Sequence, residues 1–462
     1  MEIINESNIF DLLNKYKDPD SKLVDEVISE ARKIKSLTLE QAAVLININK
    51  PEDYEKLFDA ASYIKETIYG KRIVLFAPLY LSNYCTNNCL YCGFRVGNKT
   101  LHRSTLTKEE IEREVKILLD QGHKRVLLLT GEHPKEASLE RLIEDINTVY
   151  SVRNEKGSYI RRINIEIEPL TNEEFRILKD VPIGTYTVFQ ETYHRETYKK
   201  VHLSGKKANY DWRIEVMDRA LSNGMNDVGI GALFGLFDYR FEALGLISHA
   251  IHLDKEFGVG PHTISIPRIR HADNAPLSEA IPFEVSDINF KKLVAVLRLT
   301  VPYTGIILST RETAEMRMEL LNLGVSQISA GSRTNPGGYR QAPKAAEEDA
   351  QFNLNDNRTC NEVINSVIRQ NFIPSFCTGC YRRGRVGKDF MDQAKPGLIK
   401  LFCQPNALFT LNEYLEDYAD EETKEIGKKL IENNIKILPE QIKEKSVEIL
   451  KNIDNGERDI FL

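Results

Sequence analysis

The chain has 462 residues, a formal net charge of −6 at pH 7 and 28% charged residues. This length suffices for one large core with additional elements, and the mildly acidic balance argues against a general binder of nucleic acid or anionic membrane. No run approaches the roughly 18 consecutive apolar residues that a membrane span needs.

The first 70 residues are predicted to be helical. Apolar side chains recur at helical spacing from Leu23 to Ala31. Thr38 and Gln41 have the spacing of a capping box that opens a second helix, and Pro51 suits the first turn of a third. We expect residues 1–70 to form an N-terminal helical extension on a larger core.

From residue 72 onward, short apolar segments alternate with amphipathic helical patterns. The segments that read as strands are Ile73–Leu79, Arg125–Leu129, Ile163–Ile167, Tyr186–Phe189, Val228–Leu233, Thr263–Pro267, Gly305–Leu308 and Ser326–Ala330. Apolar strands that alternate with helices favour a parallel sheet, and eight such units predict a closed (β/α)8 barrel of the TIM type over residues 71–345. An open doubly wound sheet is the alternative, but no nucleotide-binding fingerprint follows the first strand.

Directly after the first predicted strand stands a C-x3-C-x2-C motif, formed by Cys85, Cys89 and Cys92. Three thiolates on one short loop suit three irons of a [4Fe–4S] cluster and leave the fourth iron open to a ligand. A zinc site would need a fourth protein ligand. A disulfide is disfavoured because the seven cysteines are odd in number and the acidic start does not resemble a signal peptide. Open thiolate clusters need a reducing compartment, so we expect a cytoplasmic protein.

Barrel enzymes work at the C-terminal ends of their strands, so the polar residues there are candidate cofactor ligands. After strand two, Gly131 beside Thr130 lets a ligand approach the backbone, and Glu132 offers a carboxylate to an ammonium group. Glu166 and Glu168 share a face by alternation, and Glu168, nearer the strand end, suits ribose hydroxyls. The remaining candidates are Gln190, Glu191 and Tyr193 after strand four, Gly231 in strand five, and Tyr91 and Phe94 on the cysteine loop. For any single glutamate, a solvated strand end or an ion pair is the alternative.

Arginines follow two of the later strands. Arg268 and Arg270 end strand six, and Arg311 follows strand seven together with Ser309. Because an arginine can bind a carboxylate through two parallel hydrogen bonds, these residues indicate an amino-acid substrate held by its α-carboxylate. Arg311 with Ser309 is the first choice and Arg268 and Arg270 are the rivals, while a salt bridge at the barrel rim is the alternative for each of them.

A second cysteine set, C-x2-C-x22-C, lies in residues 346–462, which we expect to form an appended, mostly helical domain. It consists of Cys377, Cys380 and Cys403. A zinc site that recruits Cys360 as a fourth ligand is the alternative. Cys360 precedes an apolar helical run, however, and suits a position in the core.

The first motif, with an aromatic residue before its last cysteine, resembles the signature of radical S-adenosylmethionine (SAM) enzymes. Together with segments 189–193 and 308–312 and the second cysteine set, it resembles the HydG family of [FeFe]-hydrogenase maturases over about residues 70–410. The barrel is also similar to the ThiH tyrosine lyases of thiamine biosynthesis. Thr130 departs from the family pattern, since it replaces the first glycine of a Gly-Gly-Glu motif that binds the amino group of SAM.

The resemblance implies a lyase that cleaves the Cα–Cβ bond of L-tyrosine into p-cresol and dehydroglycine, which becomes carbon monoxide and cyanide. It implies that the first cysteine set holds a [4Fe–4S] cluster that binds SAM. It also implies that Cys377, Cys380 and Cys403 hold an auxiliary [4Fe–4S] cluster with an additional labile iron at the opposite barrel mouth, where His262 is best placed to touch that iron.

The implied partners are an electron donor of the flavodoxin or ferredoxin type and a hydrogenase-maturation scaffold protein. Two alternatives stay open from the sequence. One is a ThiH-type 2-iminoacetate synthase that supplies thiazole synthesis, and the other is a non-enzymatic iron–sulfur scaffold.

Overall fold

The structure is a computed structural model that describes residues 3–341 and 349–462. It begins with the helices α1 (Glu6–Lys15), α2 (Ser21–Ala31), α3 (Leu39–Ile46) and α4 (Pro51–Tyr69). The predicted N-terminal helices are therefore confirmed. Thr38 and Gln41 form the expected capping box at the start of α3, and Pro51 occupies the first turn of α4.

Eight parallel strands form the core of the fold. They are β1 (Arg72–Ser82), β2 (Arg125–Thr130), β3 (Arg162–Glu166), β4 (Tyr186–Glu191), β5 (Val228–Ala232), β6 (Thr263–Ser265), β7 (Gly305–Leu308) and β8 (Gln327–Ser329). From β2 to β8 the strands neighbour one another in chain order, and β1 pairs with both β8 and β2, which closes the sheet. The predicted (β/α)8 barrel is confirmed, and β7 has the bounds that the sequence predicted.

Helices surround the barrel. They are α5 (Lys108–Asp120), α6 (Leu139–Ser151), α7 (Asn172–Leu178), α8 (Arg195–Val201), α9 (Tyr210–Ile214), α10 (Val216–Ser222), α11 (Tyr239–Phe257), α12 (Pro276–Glu279), α13 (Asp287–Thr300) and α14 (Ala314–Leu323), with a 3₁₀ turn at Lys206–Ala208. The N-terminal helix α4 packs on α13 and α14. None of the helices in the described ranges has the length and apolarity for crossing a bilayer.

The strands alternate between a buried outer face and a polar inner face. In β3, Ile163 and Ile165 are fully buried in the apolar core, whereas Asn164 and Glu166 line a cavity inside the barrel. This alternation follows from the two-residue period of a strand. It places polar side chains in the barrel interior, where a substrate can reach them.

The C-terminal third adds one strand and more helices. They are α15 (Cys360–Arg369), β9 (Ile373–Ser375), α16 (Gly379–Arg382), α17 (Gly387–Ala394), α18 (Lys400–Asp417), α19 (Glu421–Lys436) and α20 (Glu440–Asp454). The mostly helical character is as predicted. The domain boundary predicted between residues 345 and 346 lies outside the described residues.

Strand β9 was not predicted, and it fixes the position of the second cysteine set. It pairs in parallel with the N-terminal end of β1, from Arg72↔Ile373 to Val74↔Ser375, whereas the pairing of β1 with β2 begins only at Ala77. Since Cys377 follows β9 by two residues, this pairing brings the second set to the N-terminal mouth of the barrel, opposite the first motif.

Candidate active site

A cavity at the C-terminal mouth of the barrel, called the upper cavity below, is lined by the whole first motif: Cys85, Cys89 and Cys92. Polar contacts fix both ends of the cysteine loop. The side-chain oxygen of Asn83 accepts a hydrogen bond from the Ser104 backbone at 2.7 Å. Arg103 donates to the carbonyl oxygens of Asn83 at 2.6 Å and Phe94 at 2.7 Å.

The three thiols fit an iron–sulfur cluster with one open iron. Burial raises the pKa of Cys85 to about 11 and also raises the pKa values of Cys89 and Cys92, so the thiolates need a compensating cation. Three thiols facing one cavity are the donor set that such a cluster takes. Gly131 makes the loop position possible, because a Cβ there would lie 2.2 Å from the Tyr84 carbonyl oxygen.

Glu132 supplies an ionised carboxylate to the upper cavity. Arg213 Nη1 donates to its Oε1 at 2.9 Å and Asn87 Nδ2 to its Oε2 at 2.6 Å. Burial acts to raise the pKa of Glu132, but Arg213 and Lys207 outweigh burial and lower it. A buried carboxylate that stays charged beside the cysteine loop suits an ammonium group of a ligand.

A second ion pair, between Lys207 Nζ and Glu191 Oε1 at 2.6 Å, lies on the same cavity. Glu191 has a φ of +70°, at a register shift of β4 between Phe189 and Glu191. Non-glycine residues held in this region of backbone space concentrate at functional sites. Sequence reasoning missed Lys207 and Arg213 because they belong to the connection between β4 and β5 and not to a strand end.

The structure corrects two predicted cofactor ligands that follow β4. Tyr193 points away from the barrel, and its Oη lies 3.1 Å from His249 Nδ1 on α11. Gln190 is buried, and within the described residues neither of its side-chain polar atoms has a hydrogen-bond partner. Neither residue lines the upper cavity. The prediction placed these residues at the cofactor because they follow β4, but the register shift before Glu191 changes the direction of the side chains there.

Glu168 and Gly231 are corrected in the same way. Glu168 lies beyond the end of β3 and pairs with Lys206 at 3.3 Å. Gly231 lies against the ring of Phe189, where a Cβ would approach a ring carbon to 2.7 Å. Neither residue lines the upper cavity. The predicted ligands that do line it, besides the cysteines, are Tyr91, Phe94, Thr130, Gly131, Glu132 and Glu191.

An internal cavity occupies the barrel interior and is lined by inward-facing residues of seven of the eight strands, all except β5. Tyr80, Glu166 and Arg311 line both this cavity and the upper one, so the two cavities adjoin each other at these side chains. Ser309 lines the internal cavity as well. A ligand at the cysteine loop and a ligand in the barrel interior would therefore meet near Arg311.

The guanidinium of Arg311 faces the place where the upper and internal cavities adjoin, and it has no ion-pair partner among the described residues. Its guanidinium carbon lies 3.4 Å from the centre of the Phe352 ring. Burial lowers the pKa of Arg311, and no carboxylate among the described residues forms an ion pair with it. A buried cation without a partner is unfavourable, so this guanidinium is suited to a carboxylate that arrives with the substrate.

The rival arginines are occupied by structural ion pairs. Arg268 donates to Glu312 at 3.0 Å and to Asp287 at 2.8 Å. Arg270 donates to Glu312 at 2.7 Å and to the carbonyl oxygen of Arg311 at 2.8 Å. Neither lines the internal or the upper cavity. Arg268 and Arg270 therefore form the salt bridges at the barrel rim that the sequence analysis gave as the alternative. Arg270 also holds the backbone of Arg311 in place through its hydrogen bond.

The second cysteine set lines a third cavity, called the lower cavity, at the N-terminal mouth of the barrel. Its lining includes Cys377, Cys380, Cys403 and His262. Gln327 of β8 lines both the lower and the internal cavity. The three cavities therefore succeed one another along the barrel axis, with the two cysteine sets at the two ends.

His262 directly precedes β6 and has an oriented imidazole. Its Nδ1 lies 3.4 Å from Asp227 Oδ1, its Nε2 lies 3.3 Å from Tyr381 Oη, and its ring packs on Phe390 at 4.3 Å between centroids. Burial acts to raise the pKa of Asp227, and His262 outweighs it and lowers that pKa. Among the described residues Nδ1 has no hydrogen-bond partner, and a carboxylate beside one ring nitrogen is an arrangement that metal-binding histidines often have.

The thiols of the lower cavity are not equivalent. The interaction between the Cys380 and Cys403 thiols lowers the pKa of Cys403 and raises that of Cys380. The seventh cysteine, Cys360, is buried at the start of α15, where burial raises its pKa to about 12. Cys360 does not line the lower cavity, so the four-cysteine zinc alternative lacks its fourth ligand.

Comparison with known proteins gives two family matches. The radical SAM superfamily model matches residues 79–243, and the Biotin and Thiamin Synthesis associated domain matches residues 265–373. The 2-iminoacetate synthase of Escherichia coli (strain K12) is 30% identical over 348 residues, which are 75% of this chain and 89% of that protein. The enzyme of the same name from Salmonella typhimurium is 31% identical over 70% of this chain and 82% of its own.

Solved structures extend the similarity to the whole chain. A crystal structure of HydG, a maturase of the [FeFe]-hydrogenase, is 48% identical with a TM-score of 0.96 and covers 100% of both chains. HydG from Carboxydothermus hydrogenoformans is 43% identical with a TM-score of 0.84, over 96% of this chain and 97% of that one. Methylornithine synthase, at 22% identity and a TM-score of 0.60, shares the fold.

Proposed function

The chain belongs to the radical SAM superfamily and, within it, to the HydG maturases of [FeFe]-hydrogenase, and we propose how its three cavities divide the tyrosine lyase reaction. The 2-iminoacetate synthases, at about 30% identity, are more distant relatives. The thiazole alternative is therefore set aside, and so is the non-enzymatic scaffold, because this is a family of radical SAM enzymes.

The upper cavity is assigned to SAM and the first cluster. Cys85, Cys89 and Cys92 would hold a [4Fe–4S] cluster whose open iron takes SAM. Among the lining residues, Glu132 suits the ammonium group of SAM and Lys207 its carboxylate, while Tyr91 and Phe94 offer apolar faces to the adenosyl group. When bound, cluster and SAM supply the 5′-deoxyadenosyl radical that takes a hydrogen atom from the amino group of tyrosine.

The internal cavity is assigned to L-tyrosine. Arg311 binds the α-carboxylate, for which its free guanidinium is available, and Ser309 lies beside it on the same wall. The aromatic rings of Phe189 and Phe352 line the same space and suit the phenol ring. A barrel interior keeps water away from reactive intermediates after the Cα–Cβ bond breaks.

The lower cavity is assigned to an auxiliary [4Fe–4S] cluster on Cys377, Cys380 and Cys403, with an additional labile iron at His262. When bound, that cluster would supply the iron on which the dehydroglycine fragment becomes carbon monoxide and cyanide. One observation carries this division of labour: Tyr80, Glu166 and Arg311 join the upper to the internal cavity, and Gln327 joins the internal to the lower one.

The chemistry also defines the partners. A flavodoxin or ferredoxin type of donor would supply single low-potential electrons, and a hydrogenase-maturation scaffold protein would receive the iron that carries carbon monoxide and cyanide. We also propose a cytoplasmic location, since clusters with an open iron need a reducing compartment.

The three kinds of cysteine in this chain allow a matched test. Protein reconstituted without oxygen is given SAM, L-tyrosine and a reductant, and p-cresol, carbon monoxide and cyanide are measured. Cys85→Ser is expected to lose all three products, because the radical is no longer generated. Cys403→Ser is expected to form p-cresol but neither carbon monoxide nor cyanide. Cys360→Ser, outside both sites, is the control and is expected to form all three.

Two outcomes would contradict the assignment. If Cys403→Ser released carbon monoxide and cyanide at the rate of the unmodified protein, the lower cavity would not be where they form. If the unmodified protein cleaved SAM but released no p-cresol from tyrosine, the assignment of the internal cavity would be wrong.

A further inference from the structure

A carboxylate without a partner lies in the barrel interior. Glu166 is the last residue of β3, and it lines both the upper and the internal cavity. Its strand neighbours offer it no charge, since it pairs with Leu129 of β2 and Thr187 of β4. Among the described residues no side chain or backbone group is hydrogen bonded to its carboxylate.

The other carboxylates of the two cavities are already paired. Glu132 is bound by Arg213 and Asn87, and Glu191 is bound by Lys207. Glu166 is thus the carboxylate of these two adjoining cavities that has no ion-pair partner among the described residues, and Arg311 is a guanidinium there that has none either. A buried charged group without a partner is costly, so two such groups of opposite charge indicate a ligand that carries both charges.

The charged groups that face Glu166 come from three parts of the chain. They are Glu191 of β4, Lys207 and Arg213 of the connection between β4 and β5, and Arg311 after β7, while Tyr80 of β1 is the ionisable neutral neighbour. Burial, followed by the negative charge of Glu191, raises the pKa of Glu166 to about 7. A carboxylate with a pKa near neutrality can take up and return a proton at ordinary pH.

We propose that Glu166 binds the α-ammonium group of the tyrosine substrate and accepts one proton from it before the radical step. The proposal rests on the assignment of tyrosine to the internal cavity and goes beyond it. A zwitterionic amino acid needs both counter-charges when it leaves water, and Arg311 with Glu166 supplies them.

The proton transfer has a chemical reason. The nitrogen of an ammonium group has no lone pair. The radical that forms when a neutral amine loses a hydrogen atom has a lone pair on its nitrogen, and this lone pair stabilises it. In the proposed step an N–H bond of the ammonium breaks heterolytically and an O–H bond forms on Glu166, leaving a neutral amine. One remaining N–H bond of that amine is then available for homolytic cleavage, and no further oxidant or reductant enters the proton transfer.

Equilibrium binding without turnover tests the proposal. Reconstituted protein with SAM but no reductant is titrated with L-tyrosine and with 3-(4-hydroxyphenyl)propanoate, which lacks the amino group. The unmodified protein is expected to bind tyrosine at least about tenfold more tightly than the analogue, the effect of a charge-assisted hydrogen bond. Glu166→Gln is expected to lose this preference and to bind the analogue as before.

Two further variants separate charge from structure. Glu168→Gln removes a carboxylate two residues away that lies outside the cavity lining, and it is expected to keep the preference for tyrosine. Glu166→Asp keeps the charge and is expected to restore part of the preference. Glu166→Asp also provides a test if Glu166→Gln does not fold. Its dissociation constant for tyrosine should still change between pH 6 and pH 8, because the aspartate carboxylate ionises in that range.

The outcomes distinguish this proposal from the assignment beneath it. If Glu166→Gln kept the tenfold preference, or if Glu166→Asp bound tyrosine equally at pH 6 and pH 8, Glu166 would not be the ammonium ligand, even with p-cresol forming normally. If the unmodified protein released no p-cresol, the tyrosine assignment itself would fail.

Discussion

Replacing Arg311 by methionine should weaken tyrosine binding strongly without weakening the fold. In most proteins the loss of a buried arginine strands a carboxylate, but Arg311 has no ion-pair partner among the described residues, and its guanidinium packs on Phe352 at 3.4 Å. Removing an unpaired buried cation takes away an unfavourable term. Arg311→Met should therefore melt at the temperature of the unmodified protein or above it.

The cost to binding follows from the lost charge pair. Truncating one partner of a buried, hydrogen-bonded charge pair costs about 2 to 5 kcal/mol, which is roughly 30-fold to several-thousand-fold in a dissociation constant. The assay is titration of L-tyrosine into SAM-loaded protein without reductant, combined with thermal denaturation of the same preparations.

Arg268→Met is the matched control for this experiment. Arg268 is bound to Glu312, whose side chain is 1% exposed, so its loss should lower the melting temperature while tyrosine binding changes far less. The reasoning would be refuted if Arg311→Met bound tyrosine within threefold of the unmodified protein, or if Arg268→Met gave the larger loss of affinity.

Two other predictions concern the cysteine loop and the pH dependence of stability. Gly131→Ala brings a Cβ to within 2.2 Å of the Tyr84 carbonyl oxygen, so the loop should shift and the upper cluster should be lost. Iron analysis and EPR of the reduced protein should then report only the cluster that is proposed for the second cysteine set, and an unchanged iron content would contradict this. Burial raises the pKa of Glu242 to about 8, against roughly 4.3 in an unfolded chain. The folded state then holds a proton that the unfolded state releases, so stability should fall as pH rises from about 5 to 8. In Glu242→Gln the melting temperature should differ less between pH 6 and pH 8.5 than in the unmodified protein. If it fell equally in both proteins, the raised pKa of Glu242 would not be the cause.

The barrel was predictable because its signal is repeated eight times. A single apolar segment followed by a helical pattern is weak evidence for a fold. Eight such pairs in succession exclude most folds other than the barrel. Strand β9 was not predictable in this way, since it has three residues and contains Pro374, a residue that argues against a strand. It forms because the N-terminal end of β1 leaves an edge that β2 does not cover.

The candidate site was predictable where a residue follows its strand without irregularity. Glu132 and Arg311 lie where the strand-end argument placed them. Tyr193 does not line the upper cavity although it follows β4 by two residues, because the chain has a left-handed residue and a register shift at Glu191. The strand-end argument also ranked Glu168 above Glu166, although β3 ends at Glu166 and the chain then leaves the barrel interior. No local pattern marked Lys207, whose role depends on a tertiary contact with Glu191.

Strand β1 leads into both cysteine sets. Its last residue, Ser82, is three positions before Cys85, and its first residue, Arg72, pairs with Ile373, four positions before Cys377. Eleven residues at about 3.3 Å each span roughly 36 Å, and a strand inside a closed barrel cannot shorten. Clusters bound at the two sets could therefore not approach each other through a hinge motion of this strand. Whatever passes between them must cover a distance of that order, and the side chains along the route would govern how fast it passes.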